Sequence, residues 1–256
     1  MLESPGADPI VLDLGTGLRF FGETLDPTLA FRGSALVTHL HWDHVQGLPF
    51  FAPLHRPGSH LDIYGPSHPD LDLEGAFDSF MCPPYFPVGI GDLGGDVTFH
   101  DVVDTDLAIG EAKVRVRDVP HVGLTNGYRV DWDGVSVAYV SDHQQPLDGG
   151  DRVAESVLEL ADGVDLLIHD AQYTREEFTE KAHWGHCTID YAVNVAREAG
   201  ARRLVLFHHD PTHDDRALDE VGAYARMLAA DAGVDEVICA SEGLTVSLGS
   251  AVTVPR

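Results

Sequence analysis

Between Thr38 and His44 the chain reads Thr-His-Leu-His-Trp-Asp-His, three imidazoles and a carboxylate within six residues. A protein with 15 histidines among 256 residues gathers three of them so closely only for a reason, and the spacing has a chemical sense. The residues just upstream, 34–38, form a short apolar run that reads as a buried strand. On a tight turn after such a strand, residues two apart project together, so His39 and His41 can grip one cation. Asp43 and His44, opening a following helix, can then reach a second one. A chain built this way must be layered, because strand ends have to deliver ligands to a common cleft.

Further along, other apolar runs end on ligand-type residues in the same manner. Residues 10–14 read as a strand closing on Gly15-Thr16-Gly17, and residues 61–64 as another ending at Gly65-Pro66. The stretch 112–119 alternates apolar and charged residues at period two before reaching Pro120-His121. Residues 127–132 and 135–141 flank Asp133-Gly134, a type I′ hairpin signal, and the hairpin ends at Asp142. In the second half, 151–162 carries apolar residues at helical spacing, and 164–168 reads as a strand ending at His169-Asp170. Thr188 is placed to cap a helix over Ile189–Ala199 that stops at Gly200. Arg203–Phe207 reads as a strand delivering His208 and His209. A helix over 215–232 and short strands near Val237 and Val246 complete the series. Residues 66–95, rich in Gly, Pro and aromatics, read as an irregular covering loop. The pattern implies an α/β fold, one domain over 1–256, without internal repeats.

Composition narrows the function. There are 42 acidic residues against 16 basic ones, a formal charge of −26, and only Lys113 and Lys181 are lysines. Such a surface repels polyanions at long range and offers no basic stripe for a nucleic-acid backbone. Three cysteines without CxxC spacing give neither a disulfide framework nor a thiolate metal site. No apolar run is long enough to cross a bilayer and the first ten residues lack the parts of a signal peptide, so the expected location is the cytoplasm, with no membrane partner.

The segments LDLGTG (12–17), THLHWDHVQGLPFF (38–51), PHVGLTNGYRV (120–130), YVSDH (139–143), LLIHDAQY (166–173) and GHCTIDYAVNVAREAGARRLVLFHHD (185–210) together resemble the metallo-β-lactamase superfamily. The resemblance is to its phosphodiesterase branch, which contains ribonuclease Z and the phosphoribosyl cyclic phosphodiesterases, and it covers nearly the whole chain. It implies a four-layer αβ/βα sandwich. By the same resemblance His39, His41 and His121 ligate a first zinc, and Asp43, His44 and His208 a second. Asp142 bridges the two, with Asp170 its rival for that place. Asp43 and His186 count as catalytic, His186 as proton donor with Asp170 as its acidic partner. His143 and His209 sit beside ligands and are given supporting roles. Relatives begin with an extra strand pair, whereas nine residues precede Ile10 here. The expectation is a truncated N-terminal edge that invites pairing with a second copy.

The ligand set mixes imidazoles with carboxylates, which favours zinc over manganese or iron, and a redox diiron member would carry an acidic residue where His41 stands. The expected reaction is therefore hydrolysis, with a small, cyclic phosphodiester as substrate. Twenty residues separate His121 from Asp142, too few for the arm by which ribonuclease Z grips tRNA. That gap and the charge lead to the expectation that no long nucleic acid is a partner. A carboxylic ester, thioester or lactone hydrolase of the same fold is the alternative reading, and a non-enzymatic metal-binding module a third.

Overall fold

The computed structural model describes residues 1–68, 70–230 and 232–249. The chain forms two compact units. The first comprises Met1–Thr105, Val116–Asp118 and Gly123–Tyr128; the second comprises Asp106–Arg115, Val119–Val122 and Arg129–Arg256.

In the first unit the elements follow the order β1 (Ile10–Leu12), α1 (Gly17–Thr24), β2 (Arg32–Leu36), α2 (Trp42–Val45), β3 (His60–Gly65), α3 (Leu73–Phe80) and β4 (Asp96–Asp101). The four strands make one sheet in the order β1-β2-β3-β4, every neighbouring pair parallel. Parallel neighbours need a crossover, and α1 and α3 lie in two of them. Strand β3 alternates half-buried and fully buried residues. Its buried face, Leu61 and Ile63, joins Val11, Ala35, Leu48, Phe51 and Phe77 in a single apolar core. Phe31 meets Phe51 edge-on with ring centres 5.0 Å apart.

The second sheet is larger. It contains β5 (Thr105–Ile109), β6 (Ala112–Asp118), β7 (Asn126–Trp132), β8 (Val135–Val140), β9 (Leu166–Asp170), β10 (Arg203–Phe207) and β11 (Glu236–Cys239). Their order is β11-β10-β9-β8-β7-β6-β5, with β8 to β11 parallel. The helices α4 (Glu155–Ala161), α5 (Arg175–Lys181), α6 (Ile189–Ala199) and α7 (Asp215–Ala229) alternate with those parallel strands. Helix α6 starts where its sequence says it should: Thr188 accepts from the Tyr191 N–H, and Gly200 closes the helix in the left-handed region at φ 64°. It buries Ile189, Val193, Val195 and Ala196 against Val140, Leu167 and Leu206.

The α/β class is as expected, and Asp133-Gly134 makes the hairpin turn between β7 and β8 with both residues at positive φ. Several boundaries differ. Residues 66–95 are not an unbroken loop, because Asp72 caps α3 by accepting from the Gly75 N–H. Helices α1 and α5 and strands β4 and β5 were not foreseen. The helix expected over 151–162 occupies Glu155–Ala161, and that over 215–232 ends at Ala229. No strand forms at Val246; Leu244, Val246 and Leu248 alternate with polar residues there, but none of the three is buried.

Candidate metal centre

In the first unit the ligand turn hangs on one carboxylate. Asp13, at the end of β1, has a left-handed backbone with φ 59°, a conformation that aspartate adopts more readily than most residues. That turns its buried side chain toward the end of the next strand. Its oxygens accept from the Thr38 N–H at 2.7 Å, from the Thr38 hydroxyl at 3.0 Å and from His44 Nδ1 at 2.8 Å. The Thr38 hydroxyl in turn accepts from His39 Nδ1 at 3.0 Å. The glycines make the close approach possible. A Cβ at Gly15 would stand 2.6 Å from the Asp43 carbonyl, and one at Gly47 would collide with the Gly15 carbonyl. The rings of His41 and His44 lie 4.4 and 4.2 Å from that of His39, and His44 Nε2 is 3.2 Å from an Asp43 oxygen. His39 and His44 are buried, whereas His41 and Asp43 are exposed.

In the second unit the candidates arrive from separate elements. His121 stands between β6 and β7, Asp142 follows β8, and His208 follows β10. His208 is held in the left-handed region at φ 56°, local strain of the kind that structure retains at working sites. Asp142 is buried. One of its oxygens faces His121 Nε2 at 3.7 Å and the other faces His208 Nε2 at 3.7 Å. Each ring is fixed from behind: His121 Nδ1 donates to the Gly185 carbonyl at 2.6 Å, and His208 Nδ1 meets the Gln172 amide at 2.8 Å.

His186 enters the same group, but its Nδ1 donates to Asp170 at 2.8 Å and its ring stacks on His208 at 5.0 Å. Asp170 is fully buried and also accepts from the N–H groups of His143 and Gln172. With those donors and His186, the Asp170 carboxylate is occupied, while the Asp142 oxygens face two different imidazoles. Behind them His143 Nδ1 pairs with His169 Nε2 at 2.9 Å. Burial, then the neighbouring His169 and His121, pushes the His143 pKa down. Burial raises that of the Cys187 thiol, followed by the Asp170 charge, and the thiol donates to the Asp170 carbonyl. His209 lies beside Cys239 at 3.5 Å.

A divalent cation asks for imidazoles with one nitrogen presented and the other held by the protein. His39, His44 and His121 meet that demand, each donating from Nδ1 to a protein oxygen, whereas His208 Nδ1 is held by the Gln172 amide nitrogen. Two ligands of one tetrahedral zinc sit about 3.4 Å apart. The Asp142 separations from His121 and His208 are close to that and too long for hydrogen bonds. The residues fit a divalent metal. Sequence reading passed over Asp13, Gln172 and Gly185, the groups that hold the ligands. An acidic residue between two leucines at a strand end was the available sign for Asp13; Gln172 and Gly185 carried none.

A layered α/β chain with imidazole and carboxylate clusters at its strand ends is the pattern of a metal-dependent hydrolase. Residues 20–209 match the model of the beta-lactamase superfamily domain, and the chain belongs to that family. It is 27% identical over 260 residues to Ribonuclease Z of Ignicoccus hospitalis, covering 86% of each chain. Among solved structures it resembles human tRNase Z, short form, with a TM-score of 0.69 at 20% identity over 97% of this chain and 91% of the other. The metallo-beta-lactamase fold protein YhfI from Bacillus subtilis gives 0.69 at 18% identity over 94% and 87%. The protein therefore has the metallo-β-lactamase fold, binds divalent metal and is a hydrolase. No helix among the described residues is long and apolar enough to cross a membrane.

These relatives correct one expectation. The exclusion of long nucleic acid does not stand, because the similar curated proteins are ribonucleases Z. The physical reason is one of range. A net charge of −26 belongs to the whole surface, and exposed charges are screened beyond about 8 Å at physiological salt. What a cationic centre accepts is decided locally.

Proposed function

We propose that the chain, acting as one hydrolase domain over 1–256, is a phosphodiesterase that uses two zinc ions. His39, His41 and His121 would hold one ion and Asp43, His44 and His208 the other, with Asp142 shared. The observation that carries the reading is the pairing of Asp142, whose two oxygens face different imidazoles, with His186 tethered beside it. When bound, the ions supply positive charge against the phosphoryl oxygens and acidify the attacking water.

The chain's own groups do the rest. Asp170 fixes the His186 ring through Nδ1, which leaves Nε2–H as the group to protonate the departing oxygen. Asp43, exposed at the turn, would orient the incoming water as well as bind metal. The phosphodiester includes that of an RNA strand. A small cyclic phosphodiester is the second reading, favoured by the short β7–β8 hairpin that fills the interval before Asp142.

The test is metal analysis with a substrate panel: bis-p-nitrophenyl phosphate, a short RNA, a cyclic nucleotide, thioesters and lactones. His41→Ala and Asp142→Ala are expected to hold fewer than two metals per chain. His186→Ala is expected to keep both and lose roughly 10²–10⁴ in kcat. Turnover of carboxylic esters alone would end the phosphodiesterase reading, and a fully active His186→Ala would end its acid role.

A further inference from the structure

A row of rings and one cation leads outward from Asp142 within the second unit. The His208 ring stacks on His186 at 5.0 Å, and the Tyr173 ring meets His186 edge-on at 5.8 Å. Lys181 Nζ lies 5.2 Å from the Tyr173 ring and 5.9 Å from that of Trp184. Trp184 ends the row at 56% exposure. Single exposed aromatics are ordinary on protein surfaces; this one is held in place. Gly185, next to it, is left-handed at φ 101° and gives its carbonyl to His121 Nδ1. Trp184 is two residues from His186, so their Cα atoms are no more than about 7 Å apart.

The cation is equally constrained. Lys181 is one of two lysines in a chain of net charge −26. It is fastened at 2.7 Å to Asp210, which is 5% exposed. Asp210 also accepts from the N–H and hydroxyl of Thr212. A fixed ammonium against two aromatic faces, with a tryptophan turned to solvent, is the composition of single-stranded nucleic-acid platforms, where bases stack on rings and the backbone follows the positive charge.

We propose that Trp184 is a stacking platform for the nucleobase flanking the scissile phosphodiester, with Lys181 as the cation that stiffens it. The proposal rests on the phosphodiesterase reading and names its substrate class as nucleotidic. A lone cyclic phosphate without a base gains nothing from this row; a nucleotide or RNA strand does.

The experiment uses the metal-loaded protein. Binding of a short oligoadenylate is followed by fluorescence anisotropy for wild type, Trp184→Ala and Trp184→Phe. In parallel, kcat/KM is measured for thymidine 5′-p-nitrophenyl phosphate and for methyl p-nitrophenyl phosphate. Trp184→Ala is expected to weaken oligoadenylate binding roughly tenfold and to lower the ratio of the two kcat/KM values by a similar factor, with Trp184→Phe recovering most of both. Equal oligoadenylate affinity in wild type and Trp184→Ala, with an unchanged ratio, overturns the platform and leaves the phosphodiesterase reading intact. A wild type that cleaves neither ester ends both.

Discussion

The two ligand clusters are built by opposite means. In the first unit four proposed ligands fall within six residues, and one buried carboxylate, Asp13, holds Thr38, His44 and through Thr38 also His39. In the second unit the proposed ligands come from separate strand ends, and the two histidines have separate anchors: the Gly185 carbonyl for His121 and the Gln172 amide for His208. A cluster with one support should fail as a whole. A cluster with separate supports should fail one ligand at a time.

The sharpest way to break that contrast is Asp13→Ala. It leaves the Thr38 N–H, the Thr38 hydroxyl and His44 Nδ1 without their carboxylate in a buried site. The expected loss is about 3 kcal/mol in a denaturant melt, together with up to about 100-fold in metal affinity. A variant with wild-type stability and metal content would show that the turn holds itself. Gly47→Ala attacks the same cluster through the backbone, since the new methyl would overlap the Gly15 carbonyl. About 2 kcal/mol of destabilisation is expected, and an unchanged melting midpoint would mean that the two loops part without cost.

Gln172→Leu tests the other design. It removes the anchor of His208 alone, so metal affinity should fall about tenfold. Metal titrations should show one weakened site beside one of native strength. Simultaneous weakening of both would make the second cluster as unitary as the first.

The same contrast explains what could be read from the sequence. The His39–His44 turn was legible because its ligands share one short window, and the strands before His121, Asp142 and His208 were legible because alternating or β-branched runs end on those residues. The supports were not: Gln172 and Gly185 matter only once the fold brings them behind His208 and His121. Strands β4 and β5, with sequences DVTFHD and TDLAI, carry too many polar residues to stand out, and parallel pairing with β3 is what makes β4 a strand. Helix α5 had its sign, a Thr174-x-x-Glu177 capping box, hidden by a run with few apolar residues. Helix α3 had Leu73, Ala76, Phe77 and Phe80 at helical spacing within a stretch dominated by Gly and Pro. The substrate was the least legible, because overall charge was read as a local property.

The smallest effect separates support from chemistry at the residue closest to both. Thr188 follows His186, the proposed proton donor, by two positions, near enough to share in its chemistry. Its hydroxyl is nevertheless occupied twice, accepting from the Tyr191 N–H at 3.1 Å and donating to the Gln145 side chain at 3.0 Å. The Gln145 oxygen keeps a second donor, the Thr188 N–H, when the hydroxyl is removed. Thr188→Ala should therefore cost about 1 kcal/mol of stability, the ordinary value of a helix cap, with Thr188→Ser restoring it and turnover of the folded protein retained in both. If Thr188→Ala instead melts like wild type and loses turnover by orders of magnitude, the hydroxyl acts on the substrate, and the second cluster shares a residue between holding and reacting as proposed for Asp43 in the first.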